Sequence, residues 1–191
     1  EMDHRIGEIL AALRDAGIEE RTVVVFSSDN GSSFQDGGTA GGERYGGRFG
    51  SILDLGHNPS GRFRGMKSDS WEGGHRIPFL VRWPGVIPAG SVTDALTCDL
   101  DLYATVADVT GTTLAEGDAV DSRSLMPLLR GGGPVRASLV AQSGNGILCY
   151  IRAGWKLIAG SGSGGSLNPC GKADLLPAYD AASGRWRNVQ L

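Results

Sequence analysis

The feature that most constrains the fold is a helix pattern followed at once by a strand pattern. Apolar side chains recur at helical spacing near the start of the chain: Ile6, Ile9, Leu10 and Leu13. This spacing predicts an amphipathic helix with Asp3 as its N-cap and Gly17 as its stop. Residues 22–26, Thr-Val-Val-Val-Phe, form a run typical of a strand buried on both faces. Helix, short loop and buried strand form the repeating unit of open α/β sheets, so we expect an α/β fold.

Two oxygen-bearing side chains, Asp29 and Asn30, follow this strand directly, within Ser-Asp-Asn-Gly. Open α/β sheets bind ligands beyond the carboxyl ends of their strands. Hard divalent cations such as Ca²⁺ and Mg²⁺ take carboxylate and amide oxygens. We therefore interpret Asp29 and Asn30 as metal ligands. The alternative is structural, because Asn-Gly is a turn dipeptide and an aspartate can close an Asx turn.

The remainder of the chain divides at Gly131-Gly132-Gly133-Pro134, the strongest boundary signal. Before it, the pattern predicts a long Gly-rich loop, a strand, a helix and a helical turn: 31–66, 77–83, 100–109 and 124–129. After it, the pattern predicts three short strands: 138–142, 147–152 and 155–159. We therefore expect a catalytic α/β part over 1–133 and a small antiparallel-sheet subdomain over 134–191.

Composition narrows the classes of partner. The net charge of −3, from 18 basic and 21 acidic residues, argues against nucleic acid. Residues 44–76 nevertheless carry six Lys or Arg against three acidic residues, which suits an anionic substrate. Arginines solvated in a polar loop are the alternative. No apolar run is long enough to cross a bilayer.

The start of the chain and its cysteines give little information about function. No leader is visible, and the helix pattern starts at Glu1, so we expect the true N-terminus to lie upstream. Cys98 and Cys149 stand in apolar surroundings and are predicted to be buried thiols, whereas Cys170 stands in a Pro-Cys-Gly loop.

The stretch 64–78, Arg-Gly-Met-Lys-Ser-Asp-Ser-Trp-Glu-Gly-Gly-His-Arg-Ile-Pro, is the most informative motif. Its Lys67 can hold a sulfate or phosphate oxygen and stabilise charge on a leaving oxygen; the alternative is a solvated loop lysine. Upstream lies His57, in Gly-His-Asn-Pro-Ser-Gly, which either contacts the anion or holds a turn. For Glu72 and Arg76 we favour a structural ion pair over a direct role at the anion.

Taken together, Ser-Asp-Asn-Gly at 28–31 and the 64–78 stretch resemble the sulfatase family of alkaline-phosphatase-like hydrolases. The resemblance implies the C-terminal part of a mixed sheet with flanking helices. It implies that Asp29 and Asn30 ligate Ca²⁺, with Mg²⁺ the alternative, that Lys67 is a catalytic, sulfate-binding lysine, and that His57 contacts substrate. The family's nucleophile motif, Cys or Ser in C/S-x-P-x-R, occurs nowhere in the 191 residues. The formylglycine made from it, and the acidic ligands that complete the metal shell, are expected upstream.

The sequence thus predicts a sulfuric ester hydrolase fragment that acts on aryl or carbohydrate sulfate esters and is inactive alone. A sulfated small molecule or glycan is the expected partner, and the family is mostly periplasmic or secreted. One alternative is a phosphoesterase of the same superfamily. The other is a catalytically dead relative that binds sulfated glycans.

Overall fold

The computed structural model describes residues 1–33, 56–160 and 162–165, with the backbone of two short strands beyond them. The elements in chain order are α1 (Met2–Asp15), β1 (Val24–Ser27), α2 (Glu72–His75), β2 (Phe79–Arg82), α3 (Asp101–Thr110), α4 (Met126–Leu129), β3 (Ser138–Gln142), β4 (Leu148–Arg152), β5 (Trp155–Ile158), β6 (Ala178–Asp180) and β7 (Arg185–Arg187). The predicted loop 31–66 lies largely outside the described residues, and so does Cys170.

Two compact units divide the chain. The first unit contains Glu1–Ser27 and Pro78–Ala137, and the second contains Ser28–Ile77 and Ser138–Leu191. The domain boundary expected after residue 133 stays a prediction.

In the first unit, the amphipathic pattern forms α1, which ends before Gly17 at a φ of +66°. The predicted helix is confirmed, but the predicted N-cap is wrong. Helix α1 begins at Met2, so Asp3 lies inside its first turn and Glu1 takes the cap position without a side-chain hydrogen bond. No helix in the described ranges has the length and apolar character of a membrane span.

Strands β1 and β2 pair antiparallel, with Val24 opposite Arg82 and Ser27 opposite Phe79. Both strands were predicted within a few residues. The prediction that β1 is buried on both faces is wrong for this chain, because Val25 remains 38% exposed. A strand is buried on both faces only when layers cover both sides of its sheet. Within the described residues β1 has β2 as its one partner strand.

The rest of the first unit is organised around Asp101, the first residue of α3, whose side chain is fully buried. Its carboxylate accepts hydrogen bonds from the guanidinium of Arg136 and from the backbone N–H groups of Cys98 and Arg123. One carboxylate therefore fixes the chain that leads into α3 and ties two later segments to the start of this helix.

In the second unit, β3, β4 and β5 form the predicted antiparallel meander, with Ser138 opposite Arg152 and Arg152 opposite Trp155. The hairpin turns at Ala153 and Gly154, whose φ angles of +49° and +82° match a type I′ turn. One face of this sheet forms a small core. Its members are Ile147, Cys149 and Ile158, with Trp71 and Ala141 packed against them.

Candidate functional site

Two predicted motifs are brought together by a pair of backbone hydrogen bonds in the second unit. The N–H of Gly31 donates to the carbonyl of Gly74 at 2.9 Å, and the N–H of Lys67 donates to the carbonyl of Ser32 at 2.9 Å. A Cβ on Gly31 would collide with the carbonyl of Gly73, so glycine is required for this approach. The residues after β1 and the lysine stretch therefore form one locus.

The candidate metal ligands lie at one edge of this locus. Asp29 is exposed and Asn30 is half-buried, directly after the carboxyl end of β1. One carboxylate and one amide fit a hard cation, but they fill only part of a shell of six or more oxygens. No group of three or more His, Cys, Asp or Glu suited to a metal exists in the described part of the chain. The role of Asp29 and Asn30 as ligands stays a prediction.

Lys67 is exposed at the corner of a tight turn. The N–H of Asp69 donates to the carbonyl of Met66 at 3.0 Å, and Ser68 has a φ of +76°. A positive φ at the third of four residues is the mark of a type II turn, with Lys67 at its second position. Met66 and Asp69, the two ends of the turn, are buried. The side chain of Lys67 between them is exposed to solvent. This placement is compatible with anion binding and does not by itself test it.

His57 is exposed on a loop that is anchored to the lysine stretch. The side-chain oxygen of Asn58 accepts from the N–H of Ser60 at 3.1 Å, and its amide nitrogen donates to the carbonyl of Gly61 at 2.6 Å. The hydroxyl of Ser60 donates to the carbonyl of Gly65 at 2.9 Å. Asn58 therefore holds the turn, which leaves the contact of His57 with substrate a prediction.

Glu72 and Arg76 form the predicted ion pair, at 3.3 Å. Glu72 also pairs with Lys156 at 2.6 Å, a contact that no local sequence signal indicates. Burial raises the pKa of Glu72, but hydrogen bonds and charge from Lys156 and Arg76 outweigh it and the net pKa is lowered. The glycines between Glu72 and Arg76 allow close backbone approach, because a Cβ on either Gly73 or Gly74 would collide with backbone.

His75 lies inward of that ion pair. Its Nε2 donates to the carbonyl of Gln142 at 3.2 Å, and its Nδ1 faces the thiol of Cys149 at 3.8 Å. Burial lowers the pKa of His75, and the charge of Lys156 lowers it further. Burial raises the pKa of Cys149. Burial therefore favours the neutral imidazole of His75 and the protonated thiol of Cys149.

A cleft of about 330 Å³ opens beside the ion pair. Its walls include Arg62, Arg64 and Lys156, and the guanidinium of Arg64 lies 3.6 Å from the ring centroid of Trp71. Against these three cations the cleft has one carboxylate, that of Glu72. Arg62 and Arg64 belong to the basic window of residues 44–76, whereas Lys156 lies outside it and pairs with Glu72. An excess of positive charge suits an anion, and the anionic partner stays a prediction.

Sequence reasoning missed Asp69 and Ser163. The Asp69 side chain is fully buried and accepts hydrogen bonds from the N–H of Met66 and the hydroxyl of Ser163. An aspartate between two serines looks like any polar loop residue. Its partner is more than ninety residues away along the chain, so no local pattern reveals it.

Comparisons with known proteins agree on one family. The family model described as Sulfatase matches residues 1–112. The steryl-sulfatase of Rattus norvegicus is 40% identical over 131 residues, covering 69% of this chain and 21% of the relative. The N-acetylgalactosamine-6-O-sulfatase of Bacteroides thetaiotaomicron is 33% identical over 159 residues, covering 83% of this chain and 29% of the relative. The chain thus spans less than a third of the length of these relatives.

Solved structures also align with this chain. A structure from work on glycosaminoglycan metabolism by Bacteroides thetaiotaomicron aligns with a TM-score of 0.71 at 33% identity, covering 82% of this chain and 31% of that one. A sulfatase from Pseudoalteromonas sp. aligns with a TM-score of 0.64 at 26% identity, covering 81% and 28%. These alignments confirm the predicted α/β fold class.

Proposed function

The chain belongs to the sulfatase family, and we propose that it is the C-terminal part of a sulfuric ester hydrolase acting on aryl or carbohydrate sulfate esters. The observation that carries the proposal is the pair of backbone hydrogen bonds, from Gly31 to Gly74 and from Lys67 to Ser32. They support the proposal because they join the backbone that directly follows Asn30 to the stretch that contains Lys67. Hydrolysis of a sulfate ester uses a cation and a lysine together, because the sulfate oxygens must be held while charge develops on the leaving oxygen.

Lys67 has the central role in this proposal. Its ammonium group is a compact positive charge with three donors, which suits a sulfate oxygen. A lysine at a turn corner can reach the anion while the turn behind it remains packed. Lys67 would hold the bridging or a non-bridging oxygen, and His57, on the loop anchored at Gly65, would contact the sulfate or the leaving group.

Asp29 and Asn30 would hold Ca²⁺, with Mg²⁺ the alternative. When bound, the cation would act as a Lewis acid that polarises the sulfate oxygens. The nucleophile expected from the family, a formylglycine, is not encoded in these residues. We therefore expect the 191 residues alone to bind metal weakly and to show no turnover.

The relatives suggest the substrate class. One is a steryl-sulfatase and another is an N-acetylgalactosamine-6-O-sulfatase, so a sulfated small molecule or glycan is the partner we propose. The basic cleft of the second unit supports an anionic ligand. A phosphoesterase on the same fold would show higher relative rates on aryl phosphate than on aryl sulfate. A dead relative would bind sulfated glycans without turnover.

The test is Lys67→Ala in the complete enzyme, assayed on an aryl sulfate. Loss of a group that stabilises developing charge typically lowers kcat by about 10²–10³-fold, and we expect a loss of this size with the fold retained. Arg152→Ala, which removes an exposed cation from β4 of the same unit, is the control and should change turnover little. Near-normal turnover by Lys67→Ala would overturn the assignment.

A further inference from the structure

We propose that Asp69, together with Ser163, is a positioning residue that fixes the turn presenting Lys67. The proposal rests on the function proposed for Lys67 and adds two residues that act through it. It concerns the backbone of the turn, since neither side chain is exposed enough to meet a substrate: both are fully buried.

The turn is closed twice. The backbone N–H of Asp69 donates to the carbonyl of Met66 at 3.0 Å, which is the ordinary closing bond of a β-turn. One carboxylate oxygen of Asp69, Oδ2, then accepts from the N–H of Met66 at 2.8 Å. Met66 and Asp69 therefore exchange two hydrogen bonds across Lys67 and Ser68, and the backbone between them has little freedom to rotate.

The second carboxylate oxygen reaches a different part of the chain. Oδ1 of Asp69 accepts from the hydroxyl of Ser163 at 2.7 Å, and the carbonyl of Ser163 accepts from the N–H of Ser70 at 2.8 Å. Ser163 thus contacts Asp69, the last residue of the turn, and Ser70, the residue that follows it. The hydroxyl of Ser163 also accepts from the N–H of Gly165 at 3.2 Å, which fixes its direction.

Close packing makes aspartate the only acid that fits. A Cβ on Gly65 would lie 2.8 Å from Oδ2 of Asp69, and a Cβ on Gly165 would collide with Oδ1. The backbone on both sides therefore approaches the carboxylate as closely as glycine allows. A glutamate would carry its oxygens one methylene further, into that backbone.

The turn is also held from outside. The N–H of Lys67 donates to the carbonyl of Ser32, and the N–H of Gly144 donates to the carbonyl of Ser68, each at 2.9 Å. These bonds fix the middle of the turn, but the N–H of Met66 depends on Asp69. Losing Asp69 should therefore loosen the start of the turn and shift Lys67 while the unit stays folded.

The expected effect is kinetic. A displacement of about 1 Å in a positioned group can cost about 100-fold in rate, so Asp69→Ala should lower kcat on an aryl sulfate by about 10-fold to 100-fold. Asp69→Asn is the conservative variant. Its amide oxygen can still accept from Met66, and its amide nitrogen can donate to the hydroxyl of Ser163, so most of kcat should return.

The decisive experiment measures Asp69→Ala and Ser163→Ala in the complete enzyme, alone and combined with Lys67→Ala, with thermal unfolding recorded for each variant. If Asp69 acts through Lys67, its substitution lowers kcat in the enzyme with Lys67 but causes little further loss in the Lys67→Ala background. Ser163→Ala keeps the bond to Met66, so it should fold and show a smaller loss with the same dependence on Lys67.

Three outcomes would overturn the proposal. Equal losses in both backgrounds would mean that Asp69 and Ser163 only stabilise the fold, and that result leaves the role of Lys67 intact. Asp69→Asn as poor as Asp69→Ala would mean that the negative charge, and not the hydrogen bond to Met66, is required. Near-normal kcat in Lys67→Ala alone would instead overturn the function proposed for the site, and the positioning role with it.

Discussion

Among the described residues, each unit contains a carboxylate that is completely buried, and the two carboxylates have different hydrogen-bond partners. In the first unit, Asp101 meets the guanidinium of Arg136, whose side chain is only 6% exposed. In the second unit, Asp69 meets neutral donors, a backbone N–H and a serine hydroxyl. Among the described residues no ion pair to Asp69 is found, whereas Asp101 has one.

Both acids join segments that are far apart in sequence, since Arg136 is 35 residues from Asp101 and Ser163 is 94 residues from Asp69. They differ in the size of the donor. A long arginine supplies several donors at once to Asp101, whereas a small serine reaches Asp69 where the backbone at Gly165 lies close against the carboxylate. A buried charge pair therefore supports the scaffold of the first unit, and a compact hydrogen-bonded acid supports the candidate site of the second.

The largest expected effect is a loss of stability in the first unit. Asp101→Ala should lower the free energy of unfolding by about 3–5 kcal/mol, because it leaves the Arg136 guanidinium buried without its partner. Urea denaturation measures this change. Combining Asp101→Asn with Arg136→Met should cost less than Asp101→Ala, because no buried guanidinium is left unpaired and the asparagine oxygen can still accept from a backbone N–H group. A cost for Asp101→Ala below about 1 kcal/mol, the range of surface ion pairs, would remove the contrast between the two units.

A smaller effect is expected on the pH dependence of stability. Burial holds the pKa of His75 below its ordinary 6.5, so the unfolded chain takes up this proton at a higher pH than the folded one. The stability contributed by neutral His75 is therefore complete above pH 6.5 and falls as the pH is lowered through the folded pKa. Glu72, whose pKa is lowered from 4.5, loses its contribution only at more acidic pH.

Unfolding free energies between about pH 7 and pH 5 check this expectation. His75→Gln keeps a donor for the carbonyl of Gln142 but does not titrate, so its stability should fall less steeply over this range than that of the unsubstituted protein. The charged groups that act on His75 are Lys156, Glu72 and Asp69, and the thiol of Cys149 faces its Nδ1; all four remain in both proteins. Equal slopes would show that burial of His75 does not control its protonation.

The smallest expected effect is a difference in thiol reactivity between two cysteines. Cys149, in the second unit, is 2% exposed and its pKa is raised by burial, whereas Cys98, in the first unit, is half-buried. Since the thiolate is the reactive form, Cys149 should react with a thiol reagent more slowly than Cys98 in the folded protein. Denaturant should make the two rates similar. Faster native labelling of Cys149 would place it in a more open environment than its burial indicates.

Local patterns predicted the elements well. The meander β3–β5 was expected at nearly the observed residues, because alternating strands are punctuated by turn residues such as Ala153-Gly154. The prediction for Cys149 was confirmed, and the prediction for Cys98 was wrong because that thiol is only half-buried. Asp3 failed as an N-cap because the helix already begins at Met2, and a shift of two residues, from Asp3 to Glu1, is within the ordinary uncertainty of helix ends.

What the sequence alone determined is the family, the element order and the residue types at the candidate site. These depend on short motifs and on periodicity, which are local properties of the chain. Only the tertiary structure decided that Gly31 and Gly74 are neighbours, that Lys156 pairs with Glu72, and that Ser163 holds the acid behind Lys67. Such contacts join residues distant in sequence, and they arise from close packing of backbone at glycines and from the need to satisfy buried polar groups.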